Sequence, residues 1–261
     1  MAVSRVNIKE IEDLEITPPL VRDAITQLLN LFHRVFQTQR LFAPKLKELM
    51  EKTKQKQLVD LCSGAGGVVP LLLAELAEHG IKASATCTDL YPNEDAIRYF
   101  KESNDSIDYF PEPVSATNVP ANLPGVRTLI AGFHHLDPES AYQVLENAFN
   151  QKQPIAIFEI TCNKPWWAFL FAAASIPGVL ALTPFYSPKI SQLFLTYLLP
   201  VIPMVGAIDG FLSHFRTYSE AELDSMTSGL TSSDYVWEIS AHRHPLAAEP
   251  WPYLLGYPKN D

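Results

Sequence analysis

This sequence is short of cysteine and of basic charge, and each shortage closes off a class of protein. Its three cysteines, Cys62, Cys87 and Cys162, show no paired spacing, so neither a disulfide framework nor a cysteine-based metal cluster is expected. Each reads as a reduced residue at or near the end of a strand. Lysine and arginine number 20 against 29 aspartates and glutamates, a formal net charge of -9. That balance leaves no concentrated basic face for a polyanion and argues against nucleic acid as the partner. The densest cations, Lys45, Lys47, Lys52, Lys54 and Lys56, are interleaved with Glu48 and Glu51, the pattern of a solvated helix end. No apolar signal region opens the chain, which predicts a cytoplasmic protein. Disorder is not expected either: 47% of the 261 residues are hydrophobic, enough for one globular domain with a large core.

What the sequence does have is one informative turn. Leu58 to Cys62 is a short apolar run with the character of a buried parallel strand, and Gly64, Gly66 and Gly67 follow before a helix from Val68 to about Glu78. The glycines let the backbone turn sharply and let a ligand lie against it, with the helix amides pointing at that ligand. A dinucleotide fingerprint starting at Gly64 requires glycine at position 69, where Val69 stands. A phosphate loop requires Gly-Lys-Ser/Thr, and Gly67 is followed by Val68, Val69 and Pro70. What remains is Asp60, an acidic residue at the strand end four positions before Gly64. This resembles the first motif of class I S-adenosylmethionine-dependent methyltransferases, acidic-x-Gly-x-Gly-x-Gly, with Cys62 in place of the first glycine.

Along the rest of the chain, strand and helix alternate. Before the turn, Pro18-Pro19 opens a helix whose apolar stripe runs from Val21 to Phe36, and a second helix reaches about Lys54. Residues 1–55 are therefore expected to form an N-terminal helical cap, and residues 56–261 the main domain. A second strand, Lys82 to Thr88, ends at Asp89, and Asn93 caps the next helix. A carboxylate at the tip of the second strand is placed to accept from two ribose hydroxyls, with Leu90 and Tyr91 flanking a base. Val114 to Thr117 reads as a short third strand and turn. Val126 to Phe133 is the fourth strand and delivers His134-His135, and Pro154 to Thr161 is the fifth, with Glu159 near its end. Tyr235 to His242 and Trp251 to Tyr257 read as a closing antiparallel hairpin. The whole is an α/β, Rossmann-like, doubly wound sheet of seven strands, mostly parallel, with N-terminal helices.

One stretch breaks the alternation. From Pro165 to Pro188 no residue is charged, and after Lys189 none is until Asp209. Pro177, Pro184, Pro188, Pro200 and Pro203 divide this insert, about residues 165–208, into pieces of about eleven residues or fewer, too short to cross about 30 Å of hydrocarbon. Two readings stay open: an apolar lid walled by Trp166, Phe169, Phe185 and Tyr197, or a patch resting on a membrane.

Leu61-Cys62-Ser63-Gly64, Thr88-Asp89-Leu90-Tyr91-Pro92-Asn93, Phe133-His134-His135, the apolar insert, Asp209-Gly210 and Arg216-Thr217-Tyr218 resemble a group of mostly uncharacterised bacterial proteins within the class I methyltransferases. The resemblance implies S-adenosyl-L-methionine as cofactor, bound by Asp60, Cys62, Ser63, Gly64, Gly66, Asp89, Leu90, Ala116, Thr117 and Phe133. It implies methyl transfer to a small apolar or lipid-like acceptor at oxygen or carbon. His135 is the first candidate for a base, kept neutral by burial, His134 beside it is a catalytic candidate by its position at the cleft, and Arg216 and Tyr218 are candidates for orienting the acceptor or the cofactor carboxylate. The alternative is a protein of the same fold that uses the pocket for cyclisation, isomerisation or binding alone. No further ligand stands at metal spacing beside the histidine pair, and no metal site is expected.

Overall fold

A computed structural model describes residues 5–103, 106–186 and 188–259. Residues 1–4 of the expected helical cap and Ser187 of the insert lie outside the described residues.

Five short strands run parallel: β1 (Gln57–Asp60), β2 (Ser84–Cys87), β3 (Ile107–Tyr109), β4 (Val126–Ile130) and β5 (Ile155–Phe158). β6 (Tyr235–His242) and β7 (Trp251–Pro258) form an antiparallel pair, and β7 runs antiparallel to β5. The order β3-β2-β1-β4-β5-β7-β6 gives the seven-stranded, mostly parallel sheet that the sequence predicts. The central strands are almost wholly buried because helices cover both faces. On one face, α2 (Gln39–Thr53), α3 (Val69–Glu78) and α4 (Glu94–Ser103) bring Phe42, Leu46, Leu72 and Phe100 onto Leu58 and Phe158. On the other, α5 (Pro138–Asn150) and α9 (Glu220–Thr227) bring Val144, Leu145 and Leu223 onto Val59, Leu129 and Ile157. Each fully buried aliphatic side chain of this kind contributes about 1.5–3 kcal/mol.

The third strand is not where the sequence suggests. Val114 to Thr117 is a turn rather than a strand, and the edge strand is Ile107–Tyr109. Pro111 and Pro113 lack the amide hydrogens a ladder needs, and Asn118 N closes back on Ser115 O at 3.0 Å.

The insert differs from expectation as well. Pro165–Leu182 is one continuous 18-residue helix, α6, with Pro177 inside it. Proline removes one backbone donor, and the alanine-rich turn before it, Ala172 to Ala174, tolerates the loss. A short helix α7 (Ile190–Leu193) continues as a π-turn, Phe194–Leu198, and α8 (Val201–Arg216) leaves it at a bend of 76°. Among the described residues, Pro165–Phe185 is the one single helix long and apolar enough to cross a membrane, with 17% of its most apolar stretch buried, and Ile190–Leu198 with Val201–Arg216 reaches that length only as a bent pair.

α6 and α8 pack on each other and on α1 (Pro19–Phe36), with Ala24, Val179 and Ile202 at their junction. Ahead of α1, residues 5–17 form a strap across α8. Asp209 accepts the amides of Ile11 and Glu12 at 2.6 and 3.1 Å, and Val6 N donates to Phe215 O at 3.0 Å.

Candidate functional site

The crossover between β1 and β4, where the chain order reverses, opens a crevice at the carboxyl ends of the strands. The turn after β1 lines it. Cys62 (φ 55°), Gly64 (φ 52°) and Gly66 (φ 67°) are all left-handed, so Cys62 adopts the conformation the motif assigns to glycine, at roughly 1–2 kcal/mol. At Gly66 an added Cβ would stand 2.7 Å from the Phe100 ring, whereas at Gly64 it would meet open space. α3 begins with no side-chain cap, but Val69 N donates to Gly66 O at 3.2 Å and Pro70 carries no N–H, so the backbone of the turn itself closes the helix start. From the other side, α1 lays Asn30 across Gly67, where a Cβ would come within 1.9 Å of the amide oxygen.

Asp60 sits below this turn. Its carboxylate accepts from Thr128 Oγ1 and Ser63 Oγ, each at 2.6 Å, stitching β1 to β4. Burial pushes its pKa up to about 6 against the pull of those two hydrogen bonds. Asp89 is placed differently. One oxygen accepts from Gly64 N and the other from Tyr91 N, both at 2.8 Å, and each keeps a lone pair for a further donor. Asn93 Oδ1 accepts from Ala96 N at 2.9 Å, so capping of α4 does not fall to Asp89. Leu90 and Tyr91 are exposed beside it. Val114 N donates to Asp89 O at 2.8 Å, which brings the Ser115–Thr117 turn alongside, with Ala116 buried and the Ser115 and Thr117 hydroxyls 2.8 Å apart.

At the end of β4, Ala131 is also left-handed, and residues Phe133–His135 form one 3-10 turn. Phe133 points into the core, its ring 5.4 Å from that of Tyr218, rather than into the crevice. His134 is buried: its amide and Nδ1 meet the two oxygens of Glu159 at 2.9 and 2.7 Å. His135 Nδ1 meets Asp13 Oδ2 of the strap at 2.9 Å, and Glu10 and Glu12 face its Nε2. Burial alone lowers the pKa of an imidazole, but Glu10, Asp13 and Glu12 outweigh it and push His135 up to about 10. The sequence expectation of a neutral His135 therefore does not hold: desolvation is present, and three carboxylates overrule it. Burial, and the nearby carboxylates, push Glu12 up to about 7.

Arg216 and Tyr218 act on the backbone of this turn. Arg216, 2% exposed, donates to His134 O at 3.1 Å and His135 O at 2.6 Å, and also to Ile8 O of the strap. Tyr218 OH donates to Leu136 O at 2.8 Å, and the Arg5 guanidinium stacks 4.2 Å above its ring. Neither side chain faces the crevice.

Over the histidine turn lies a cavity of about 400 Å³, enclosed by α1, α6, α8 and the β7 entry. Leu29, Phe32, Trp167, Phe171, Val179 and Trp251 supply apolar walls, and Glu10, Glu12, His134, His135, Asp209 and Ser213 the polar floor. Gly210 lets α8 approach α6, since a Cβ there would stand 2.5 Å from Phe171 Cε1. Cavity and glycine turn meet at the end of β4: Ala131 lines the cavity, and a Cβ on the next residue, Gly132, would touch Cys62 Cβ at 4.0 Å. The insert thus walls a cavity, but with Trp167 and Phe171. Trp166, Phe169, Phe185 and Tyr197, expected inside, are 50–76% exposed on the outer face. Sequence reasoning also missed Glu10, Glu12 and Asp13. The only signal was a short acidic cluster ahead of Pro18.

No protein-family model matches the chain, and a search of curated proteins returns no match. Solved structures do match. The plantazolicin methyltransferase BpumL in complex with SAH aligns at a TM-score of 0.53 and 11% identity, over 92% of this chain and 89% of that one. The same enzyme with a monoazolic desmethylPZN analog and SAH aligns at 0.52 and 12%, over 91% and 89%. This likeness shows a Rossmann-like fold shared with BpumL over nearly the whole chain.

Proposed function

We propose that the chain is an S-adenosylmethionine-dependent methyltransferase of the class I fold acting on a small apolar or lipid-like acceptor, at oxygen or carbon. The observation that carries this reading is the junction of two unlike spaces at the end of β4. On one side stands a glycine turn with a carboxylate at its rim, on the other an apolar cavity with a polar floor. The residues present fit the cofactor. Asp89 keeps lone pairs for two ribose hydroxyls, Gly64 leaves open space, and the Ser115–Thr117 turn and Leu90 stand where a base would lie. When bound, the cofactor supplies an electrophilic methyl group.

The chain's own part is positioning. Cys62, Ser63, Gly64 and Gly66 shape the turn, with Asp60 bracing it from below. Arg216 and Tyr218 hold the histidine turn, so their role is to position His134 and His135 rather than to touch an acceptor. Closely packed apolar walls orient an acceptor and exclude water, which supplies much of the acceleration in a transfer of this kind. BpumL has been solved with SAH, which supports the cofactor assignment for this chain.

One observation favours the second reading, binding or isomerisation without methyl transfer. His135 holds its proton, so it offers no lone pair to deprotonate a hydroxyl acceptor. Incubating the protein with methyl-labelled S-adenosylmethionine and apolar extracts separates the two. Label appearing in a lipid-soluble product supports methyl transfer, and SAH binding with no transfer to any fraction favours the second.

The outer face of the insert belongs to this reading too. Phe169, Phe185, Ile190, Leu198 and Met204 are all more than half exposed, a surface suited to peripheral contact with lipid, from which an apolar acceptor would come. Flotation with phosphatidylcholine vesicles tests it: protein left in the bottom fraction contradicts membrane contact.

A further inference from the structure

Both histidines of the 3-10 turn are fixed through one ring nitrogen and aimed through the other. Glu159 holds Nδ1 of His134 at 2.7 Å and Asp13 holds Nδ1 of His135 at 2.9 Å. The Nε2 atoms face the strap. His134 Nε2 stands 3.7 Å from Glu10 Oε1, and His135 Nε2 stands 4.0 Å from Glu10 Oε2 and 3.7 Å from Glu12 Oε1. One donor atom each from Glu10, His134 and His135 lies within 4.8 Å of the others. Histidines that ligate a metal are commonly oriented in this manner, with the second nitrogen bonded to a carboxylate.

An independent observation points the same way. Glu10 is 1% exposed, yet its Oε1 accepts no hydrogen bond. Its other oxygen accepts from Ser213 Oγ at 2.9 Å. Arg216 Nε comes within 3.6 Å of Oε1 but gives its hydrogen to His134 O. An orphaned buried acceptor is costly, more so when charged, and an ion is one of its standard explanations. Glu12, Asp13, Glu159 and Asp209 surround the same point, so its potential favours a cation.

We propose that Glu10, His134 and His135, with Glu12 as a fourth donor beside His135, bind one divalent first-row transition metal ion at the floor of the apolar cavity. Binding releases the Nε2 proton that His135 holds in the metal-free protein to solvent, and the ion takes its place between the ring and the carboxylates. Two imidazoles with carboxylates suit zinc, manganese or iron(II), whereas magnesium and calcium prefer oxygen alone. Donors around a tetrahedral ion with bonds of about 2.0–2.2 Å lie about 3.4 Å apart. Glu10 Oε1 and His134 Nε2, 3.7 Å apart, close by a few tenths of an ångström, while His135 Nε2, which faces Oε2 at 4.0 Å, closes from within 4.8 Å of the other donors. An ion there would meet the polar end of an acceptor in the cavity. That consequence rests on the methyl-transfer reading, and the binding of the ion does not.

The test is calorimetric titration of the EDTA-dialysed full chain with zinc chloride, alongside Glu10→Gln, which keeps an acceptor for Ser213. The expected result is one equivalent of zinc bound at micromolar affinity or tighter, weakened at least tenfold in Glu10→Gln, with no saturable heat from magnesium. Absence of saturable zinc binding overturns the proposal, and so does unchanged binding by Glu10→Gln, which places the ion elsewhere. If Glu10→Gln fails to fold, imidazole resonances of the unmutated protein decide: two shifting together on zinc addition support the site, and none shifting overturns it. SAH titrated in parallel keeps the two ideas apart. SAH binding without zinc removes the metal site alone, and zinc binding without SAH removes the methyltransferase reading alone.

Discussion

The two sides of the cleft are built in opposite ways. The glycine turn draws on residues close in the chain: Asp60, Ser63, Gly64 and Asp89 lie within 30 positions, and their contacts run largely through backbone amides. The cavity floor and the groups that brace it gather Glu10, His135 and Asp209, with Glu159 and Arg216 behind them, from across 200 positions, and their contacts run through buried charge. A site made of backbone needs only the right turn. A site made of gathered side chains needs the whole fold to hold, so the second half should be the more fragile under substitution.

The largest test of that contrast is Arg216→Met. It leaves the carbonyls of Ile8 and His135 without their donor, His134 O with Arg5 alone, and Glu10 without its nearest cation, so stability should fall by about 3–5 kcal/mol. Urea unfolding measures it, and a loss under about 1 kcal/mol would remove the contrast. Next comes pH. His33, on the buried side of α1, which spans both halves, is 2% exposed and bonded to Thr38 Oγ1 at 2.6 Å, and burial pushes its pKa from 6.5 down to about 4. The folded value lies below the unfolded one, so this contribution is full above about pH 6.5 and is lost as pH falls towards 4. It amounts to as much as about 3 kcal/mol. Melting curves at several pH values should show that slope, and His33→Gln should flatten it.

Gly66→Ala acts on the glycine side. Its Cβ meets the Phe100 ring at 2.7 Å at a positive φ, costing about 2 kcal/mol of stability and more of SAH affinity, while the cavity is untouched. The smallest effect is Phe185→Ser on the outer face of the insert. Stability should stay within about 0.5 kcal/mol while retention on phosphatidylcholine vesicles drops.

The same contrast explains what was legible in the sequence. The sheet and its crossover could be read because each central strand is a short apolar run closed by a turn: Asp60 to Gly67, Asp89 to Asn93, Gly132 to Asp137. Asp89 could be placed because strand ends project into the crevice. The edge strand was misplaced because Ile107–Tyr109 is three residues long, while Val114 to Thr117 has strand-like residues between prolines that prevent pairing. In the insert, apolar residues on every side of α6 leave no period from which to tell an inner face from an outer one, so the sequence does not separate Trp166 and Phe169 from the wall that Trp167 and Phe171 form. Proline spacing overstated the breaks because α6 runs on through Pro177, where both the proline and Ala173, whose carbonyl loses its donor, are exposed to solvent. The protonation of His135 was out of reach altogether: it depends on Glu10, Glu12 and Asp13, more than 120 positions away.

The most direct test of the central claim, that the glycine turn and Asp89 bind the methyl donor beside the cavity, is calorimetric titration of SAH into the unmutated chain and Asp89→Ala. Losing a charged acceptor for two ribose hydroxyls should cost about 2–4 kcal/mol, so the account predicts saturable binding in the first and an affinity at least tenfold weaker in the second. Equal affinity in the two proteins, or no binding in either, would contradict it.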